Sequence, residues 1–484
     1  MRDIETTLNH IIQSRFIKND VIFQIFTNFI PMKMRRLALV LLTLPFLFAC
    51  GQQAGRFDPE SVVLSLGVVS DTHIGNGYGS EDKLRSALTQ LAEAAGGKLD
   101  GVLVVGDLVN TASAPQISTF KEIYESVLDP VKVPLVYTIG NHDMNPAYRW
   151  TGESVAQNAV FHSILGEDYF KTDLDPALRD SLECRHCVIG NCHILCVTPD
   201  HTSPITYSPT VLEWLDAQLR EITEKNPDHY VLLLTHPMIY GTCYGSLLQD
   251  VYTRLGDYWA TKDLTGILSR YPQVITFGGH LHFPLNDPRS IWQGAFTSVG
   301  TASTSYMAID NGNYEDMATV TVMKGAGNFS QGLLLQFDKK GNARLTRMDF
   351  FNRAEIGQPW ELPAPKAEGS HLARYNHSAL KAKNTPPSLS TAEFKDGILC
   401  FAAGQDDGFV HHYRISISKD GEEVAQKKIL ADFYKTPQPS GMKDAYELSF
   451  GELEAGDYSA TIVAVDSWDA QSAPLCCTFH VDNR

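Results

Sequence analysis

Five apolar runs in this chain each end in side chains able to bind a cation or move a proton, and that repetition constrains the fold more than any other feature. Val62–Val69 leads into Ser70-Asp71-Thr72-His73, and Val102–Val105 leads into Gly106-Asp107. Val133–Ile139 leads into Gly140-Asn141-His142-Asp143, Val231–Leu234 into Thr235-His236, and Val274–Phe277 into Gly278-Gly279-His280-Leu281-His282. Short apolar runs bounded by Gly or Pro read as buried strands. Helical patterns separate the first three: Leu84, Leu88, Leu91 and Ala95 follow Ser80, which reads as an N-cap, with Gly96-Gly97 as the stop. Gln116–Val127 reads as a second helix, closed by Pro130. A β-α-β-α-β order predicts a parallel sheet with helices on its faces. Open α/β sheets keep their sites outside the carboxyl ends of such strands.

The donors at those ends are Asp71, His73, Asp107, Asn141, His236, His280 and His282. Taken singly, each has a plainer reading. His236 alone would be a satisfied buried imidazole, His73 a surface side chain, and two histidines two apart on a strand would point to opposite faces. The Gly278-Gly279 turn lets His280 and His282 converge. Seven oxygen and nitrogen donors without a thiolate suit Mn, Fe or Zn rather than Ca or a soft-metal site. They are too many for one tetrahedral zinc and fit two ions sharing a carboxylate.

In order, D-x-H, G-D, G-N-H-D, a lone His and G-H-x-H resemble the calcineurin-like metallophosphoesterase superfamily, over Val62–His282. The resemblance implies an α/β fold: a calcineurin-like β-sandwich core flanked by helices (α/β/β/α). It implies that Asp71, His73 and His282 hold one divalent ion, that Asn141, His236 and His280 hold the other, and that Asp107 bridges. The activity implied is hydrolysis of a phosphoester, diester or monoester, by a metal-bridging hydroxide. His142 is placed to protonate the leaving group or bind a phosphate oxygen. Asp143 is assigned with it to the catalytic set, either orienting His142 or capping the following turn. Leu108-Val109-Asn110 lacks the metal-bound Tyr of the purple acid phosphatases, which speaks against a chromophoric Fe(III) site. Asn110 stands where many cyclic-nucleotide phosphodiesterase-like relatives carry a polar residue. Tyr148, Arg149, Trp150, Tyr240 and Tyr244 follow ligand strands and are candidates for the pocket, with Arg149 and Tyr240 taken as substrate contacts.

The chain is 484 residues with a net charge of −16. That charge argues against non-specific binding of a nucleic-acid polymer, and none is expected as partner, but it leaves room for a small phosphoester met by metal charge. Met32-Lys33-Met34-Arg35-Arg36, the apolar Leu37–Phe48 and Leu47-Phe48-Ala49-Cys50 read as a bacterial lipoprotein signal with Cys50 lipidated, so the true start is expected at Met32 or Met34. Localisation is then the cell envelope, lipid-anchored, periplasmic or at the cell surface of a bacterium. Residues 1–50 are expected as leader, 51–60 as tether, 61–352 as the metallophosphoesterase domain and 353–387 as a Pro-rich linker. Residues 388–484 are expected as an all-β sandwich that resembles a fibronectin type III or immunoglobulin-like module and is a candidate for a cell-envelope ligand. The alternative function is a non-catalytic surface binding lipoprotein working through that sandwich.

Cys184, Cys187, Cys192 and Cys196 lie on a hairpin about Gly190-Asn191. Their spacing raises a structural zinc site, but ligands on one hairpin converge poorly. One disulfide with one or two buried thiols is the expectation for an exported protein. The segment Gly300–Gly327 reads as a polar rim loop, and Lys262–Arg270 as a helix.

Overall fold

Strands ending at a common edge need helices to carry the chain back, and that alternation builds the first half of the protein. The computed structural model describes residues 55–144, 160–161, 163–165, 184–199, 203–248, 259–366, 368–451 and 453–482. Cys50 with its leader, and Tyr148, Arg149 and Trp150, lie outside the described residues. The elements all fall in the second of two compact units, Phe57–Arg484; of the first, Met1–Arg56, only residues 55 and 56 are described.

The chain begins β1 (Val62–Val69), α1 (Ser80–Ala94), β2 (Gly101–Val105), α2 (Ala114–Val127), β3 (Leu135–Thr138) and the single helical turn α3 (Asn141–Met144). A hairpin follows, β4 (Cys184–Ile189) and β5 (Cys192–Val197), then α4 (Pro209–Lys225), β6 (Val231–Thr235), α5 (Thr265–Leu268) and β7 (Val274–Gly278). Next come β8 (Ile291–Gln293), β9 (Thr297–Gly300), β10 (Gln331–Asp338), β11 (Ala343–Asp349), β12 (Ala354–Glu355), β13 (Trp360–Leu362) and α6 (His377–Lys381).

These strands form two sheets. One has the order β12-β11-β10-β1-β2-β3 with β13 paired to β11; the other has the order β4-β5-β6-β7-β9-β8. In the first, β1, β2 and β3 pair in parallel; in the second, β5, β6 and β7 do. Alternate residues decide the layers. Leu66, Val68, Leu103, Val105, Leu232, Leu234, Ile275 and Phe277 meet between the sheets. Val102, Val104 and Tyr137 face outward against Leu84, Leu88, Phe120 and Tyr124 of α1 and α2. Val231, Leu233 and Val274 face Val211, Leu215, Leu219 and Ile222 of α4. The result is a four-layer α/β/β/α core. Helix α4 shows why such a layer forms: Pro209 occupies its first turn and Ser208 Oγ accepts the Val211 amide at 3.3 Å. Its four buried aliphatic side chains each stabilise by roughly 1.5–3 kcal/mol.

The C-terminal region is all antiparallel: β14 (Ala392–Lys395), β15 (Ile398–Ala402), β16 (Val410–Lys419), β17 (Glu422–Leu430), β18 (Ala445–Ser449), β19 (Gly456–Asp466) and β20 (Leu475–Val481). They make sheets β14-β15-β18 and β17-β16-β19-β20. Leu399, Phe401, Tyr413, Ile415, Ile417, Ile462 and Ala464 fill the space between them.

Several local expectations are corrected. Ser80 begins α1 instead of capping it; its hydroxyl bonds Asn76 Oδ1 at 2.6 Å, and Gly79 holds the cap position. Only Thr265–Leu268 of the segment 262–270 is helical. The stretch read as a linker is packed: Trp360 and Leu362 are buried on β11, and His377 Nε2 meets the Ile291 carbonyl at 2.7 Å. No disulfide joins any two of the described cysteines. Strand alternation separates those of the hairpin: Cys184 lies under α4, while Cys187, Cys192 and Cys196 enter the inter-sheet core.

Candidate metal centre

Backbone geometry brings the strand ends together. Asp71, His73, Asp107, His280 and His282 all adopt left-handed φ values, between 45° and 68°. That region is uncommon for residues with a side chain and gathers at functional sites. The strained turns are locked to each other: the Asp71 amide donates to the Gly106 carbonyl and the His73 amide to the Asp107 carbonyl, each at 3.0 Å. Two glycines of the motifs have a steric reason. A Cβ on Gly140 would strike the Asp107 carboxylate, and one on Gly279 would strike Ser70 Oγ and Asp71 Oδ2.

The donors fall into two groups that share one residue. Asp71, His73, Asp107 and His282 present ligand atoms within 4.8 Å of one another, and so do Asp107, His236 and His280. Asn141 joins the second group, its Oδ1 lying 3.0 Å from His236 Nε2. His73 Nε2 and His282 Nε2 are 3.1 Å apart, and His282 Nε2 is 2.9 Å from Asp71 Oδ1. Two nitrogens bonded to one ion at about 2.0–2.1 Å sit at such a separation. Asp107 is held by the α3 turn, since the His142 amide donates to its Oδ1 at 2.8 Å, while Oδ2 faces His236 Nε2 at 3.2 Å and His73 Nε2 at 3.7 Å.

Backbone carbonyls choose the working nitrogen of several imidazoles, the usual outer-layer support of a metal site. His236 Nδ1 lies 2.8 Å from the Val105 carbonyl, His282 Nδ1 3.1 Å from that of Tyr306, and His142 Nδ1 2.9 Å from that of Asn110. The hydroxyls of Ser70 and Ser303 tie the Asp71 turn to Val105 and to the loop after β9.

The electrostatics ask for cations. Burial pushes the Asp107 carboxyl up, but His236 and His142 beside it prevail and hold it well below the usual carboxylate range. Burial likewise lowers His236, yet Asp107 outweighs it and raises His236 to about 9. That pair therefore favours a proton or another cation between carboxylate and imidazole. Burial, then the charge of His142, keeps His73 well below its ordinary value; burial, then His236, does the same for His280. Neutral imidazoles are what a metal requires. His280 Nε2, beside the Asp107 group, is buried with no hydrogen-bond partner among the described residues. Buried nitrogens without partners are costly in a protein alone, so this donor set fits a pair of divalent ions better than it fits a closed hydrogen-bond network.

A cleft of about 170 Å³ opens over this floor. Asp107, Asn141, His142, His280 and His282 line one side; Leu248, Trp259, Phe283, Tyr306, Thr321 and Val322 are among those on the other. His142 lines the cleft with its ring 4.5 Å from that of His73. Asp143 does not orient it. The Asp143 carboxylate accepts the Gly140 and Val109 amides, each at 3.0 Å, and burial, then the nearby Asp107 charge, raises it to about 8. It clamps two loops together, the place of a positioning residue. Tyr240 is not among the described residues that line the cleft, and Lys262 Nζ sits 4.3 Å above its ring. Tyr306 was hidden in the stretch read as a rim loop; its ring lies 4.3 Å from that of His282. Phe283 could have been found from its place directly after Gly279-His280-Leu281-His282.

Fold and site together define a protein that gathers two groups of metal-ligating side chains at the strand ends of its α/β core. Residues 64–284 match the model of the calcineurin-like phosphoesterase family. A probable cyclic nucleotide phosphodiesterase of Rhodococcus erythropolis is 26% identical over 231 residues, covering 44% of this chain and 64% of the relative. The chain thus spans less than two thirds of that relative's length. Among solved structures, a purple acid phosphatase from yellow lupin (Lupinus luteus) seeds is 14% identical, with 66% of this chain and 57% of that one covered at a TM-score of 0.43. A 5'-nucleotidase precursor from Thermus thermophilus is 16% identical, with 74% and 76% covered at a TM-score of 0.29.

Proposed function

We propose that this domain hydrolyses a phosphodiester with two divalent transition-metal ions, Mn, Fe or Zn. The observation that carries the reading is Asp107, a single carboxylate common to two converging donor groups. Asp71, His73 and His282 would hold one ion and Asn141, His236 and His280 the other. Bound there, the ions supply Lewis-acid polarisation of the phosphoryl oxygens and an activated water. The protein's own side chains then orient and move protons. His142, with Nδ1 engaged by the Asn110 carbonyl, uses Nε2 to protonate the departing oxygen. The apolar wall of Leu248, Trp259, Phe283 and Val322 receives the organic part of the ester. No Lys or Arg stands among the described lining residues, which favours a monoanionic diester over a terminal phosphate dianion that needs a basic clamp. The name of the Rhodococcus erythropolis relative agrees with a diester.

The test is metal content alongside turnover of bis(p-nitrophenyl) phosphate and p-nitrophenyl phosphate. About two ions per chain, chelator-sensitive activity and faster diester cleavage are expected. A chain that takes up no Mn or Zn sinks the two-metal reading, and a preference for the monoester sinks the diester. We further propose that Cys50 carries the lipid that holds the enzyme in the cell envelope. Labelled palmitate should enter the wild-type chain and not Cys50→Ser; equal labelling of both removes the anchor.

A further inference from the structure

We propose that the C-terminal sandwich is a working part of the cleft, fixing the position of the wall formed by residues 306–323; this rests on the reading of that cleft as the active site. The segment is gripped from both sides. On the cleft side, the Tyr306 carbonyl meets His282 Nδ1 at 3.1 Å and the Ala308 amide donates to the His282 carbonyl at 3.2 Å. Ala308, Thr321 and Val322 line the cleft itself, and the Ile309 amide closes the segment on the Thr321 carbonyl at 2.9 Å. On the other side, the Glu315 amide donates to the Lys428 carbonyl of β17 at 2.9 Å, and the Lys428 ammonium lies 4.5 Å over the Tyr314 ring.

A half-buried polar chain bolts the two sides together. Tyr244 Oη lies 2.8 Å from His411 Nε2 of β16 and donates to Asp310 Oδ2 at 3.1 Å. His411 Nδ1 in turn lies 3.1 Å from His412 Nδ1. One run of donors satisfies the chain: His412 to His411, His411 to Tyr244, Tyr244 to Asp310. Asp310 is two residues from the cleft-lining Ala308. Tyr244 also backs Phe283, another cleft residue, with ring centroids 4.8 Å apart. The Arg289 guanidinium covers the Tyr244 ring at 3.9 Å while held to Asp287 through two bonds of 2.8 and 2.7 Å. A separate binding module on a tether would not be expected to send a linked run of side-chain hydrogen bonds to within two residues of a cleft wall. Such a chain has few alternative arrangements, so the sandwich sets where the wall stands.

Tyr244→Phe removes one oxygen and keeps the ring, so it reports even where His411→Phe fails to fold. His411→Gln keeps an N–H donor and serves as the conservative rescue. The full-length, metal-loaded chain is followed by amide hydrogen exchange over 306–323 and by kcat and KM on bis(p-nitrophenyl) phosphate. Tyr244→Phe and His411→Phe should speed exchange there and lower kcat/KM by about tenfold, mainly through KM, with metal content unchanged. His411→Gln should stay within about threefold of wild type. Unchanged exchange in the folded variants overturns the proposal, and so does faster exchange with kcat and KM unaltered. A wild-type chain inactive on every phosphoester would remove the phosphoesterase reading instead, leaving exchange over 306–323 to decide whether the sandwich holds the wall.

Discussion

Two clusters of histidines in this chain differ in how far the protein pairs their side chains. At the junction, His411, His412, Tyr244 and Asp310 form a chain in which each link has a donor and an acceptor. At the strand ends, His73 and His282 face each other through Nε2, His280 Nε2 is buried without a partner among the described residues, and five residues hold left-handed backbone. The first cluster is linked end to end by hydrogen bonds, with Asp310 Oδ1 left without a partner among the described residues. The second presents its donors as a divalent-ion site would need them. Strained, unpaired donors gathered at one place point to function, whereas a linked chain points to a positioning role.

The sharpest way to break that contrast is to take away the residue both metal groups share. Asp107→Asn removes the shared negative charge and should abolish turnover, with metal content falling below one ion per chain. Normal activity at full occupancy would refute the bridging role. Chelation of the wild type should act in the same direction on stability. Ions held at a thousandfold excess over their dissociation constant contribute about 4 kcal/mol, so the thermal midpoint should fall on stripping and return with Mn or Zn.

His142→Ala tests the next layer, a residue that lines the cleft without belonging to either donor group. Metal content should hold while the rate drops by roughly 10²–10⁴-fold, the usual scale for an acid–base group. The deficit should shrink on esters with good leaving groups, because their departing oxygen needs no proton. An equal deficit across leaving groups assigns His142 to binding instead.

Much of this centre was legible in the order of the residues. A continuous apolar run with a donor at its end is a local signal, and five of them define a sheet edge. What was not legible is tertiary. The partner of His142 is a backbone carbonyl, that of Asn110, and carbonyls leave no trace in residue identity. Asp143 sits beside His142 in sequence, yet one helical turn sends its carboxylate to Gly140 and Val109. Trp360 and Leu362 lie in a Pro-rich stretch too short to show periodicity, and only pairing with β11 makes a strand of them. Tyr306 is 24 residues beyond His282, joined to it by a fold-back that no spacing announces.

A smaller effect separates the clusters by pH. Burial, then the charges of Lys428 and Arg414, lowers His412 to about 3, against attraction from Asp469; His411, Arg289 and Tyr314 also face it. Its folded value lies below the unfolded one of about 6.5. Above that unfolded value both states are neutral and stability is full. As pH falls the unfolded chain takes a proton that the folded chain refuses, so stability declines toward the folded value. Urea unfolding of wild type should lose about 1–2 kcal/mol more than His412→Gln between pH 7 and pH 5. Equal losses would show that His412 is protonated in the fold.

The smallest expected change lies at the rim of the same junction. Glu315 and Lys427 approach to 3.3 Å, but the carboxylate is 44% exposed. Exposed pairs contribute about 0.2–1 kcal/mol and fade with salt. Glu315→Gln removes the charge and leaves the backbone bond from residue 315 to the Lys428 carbonyl in place. Stability should therefore move by no more than about 0.5 kcal/mol, and exchange over 306–323 should stay at the wild-type rate. A large effect here would mean that surface charge, not the half-buried Tyr244–His411–Asp310 chain, fastens the sandwich to the cleft wall. The junction would then loosen with rising salt, which a purely hydrogen-bonded bolt should resist.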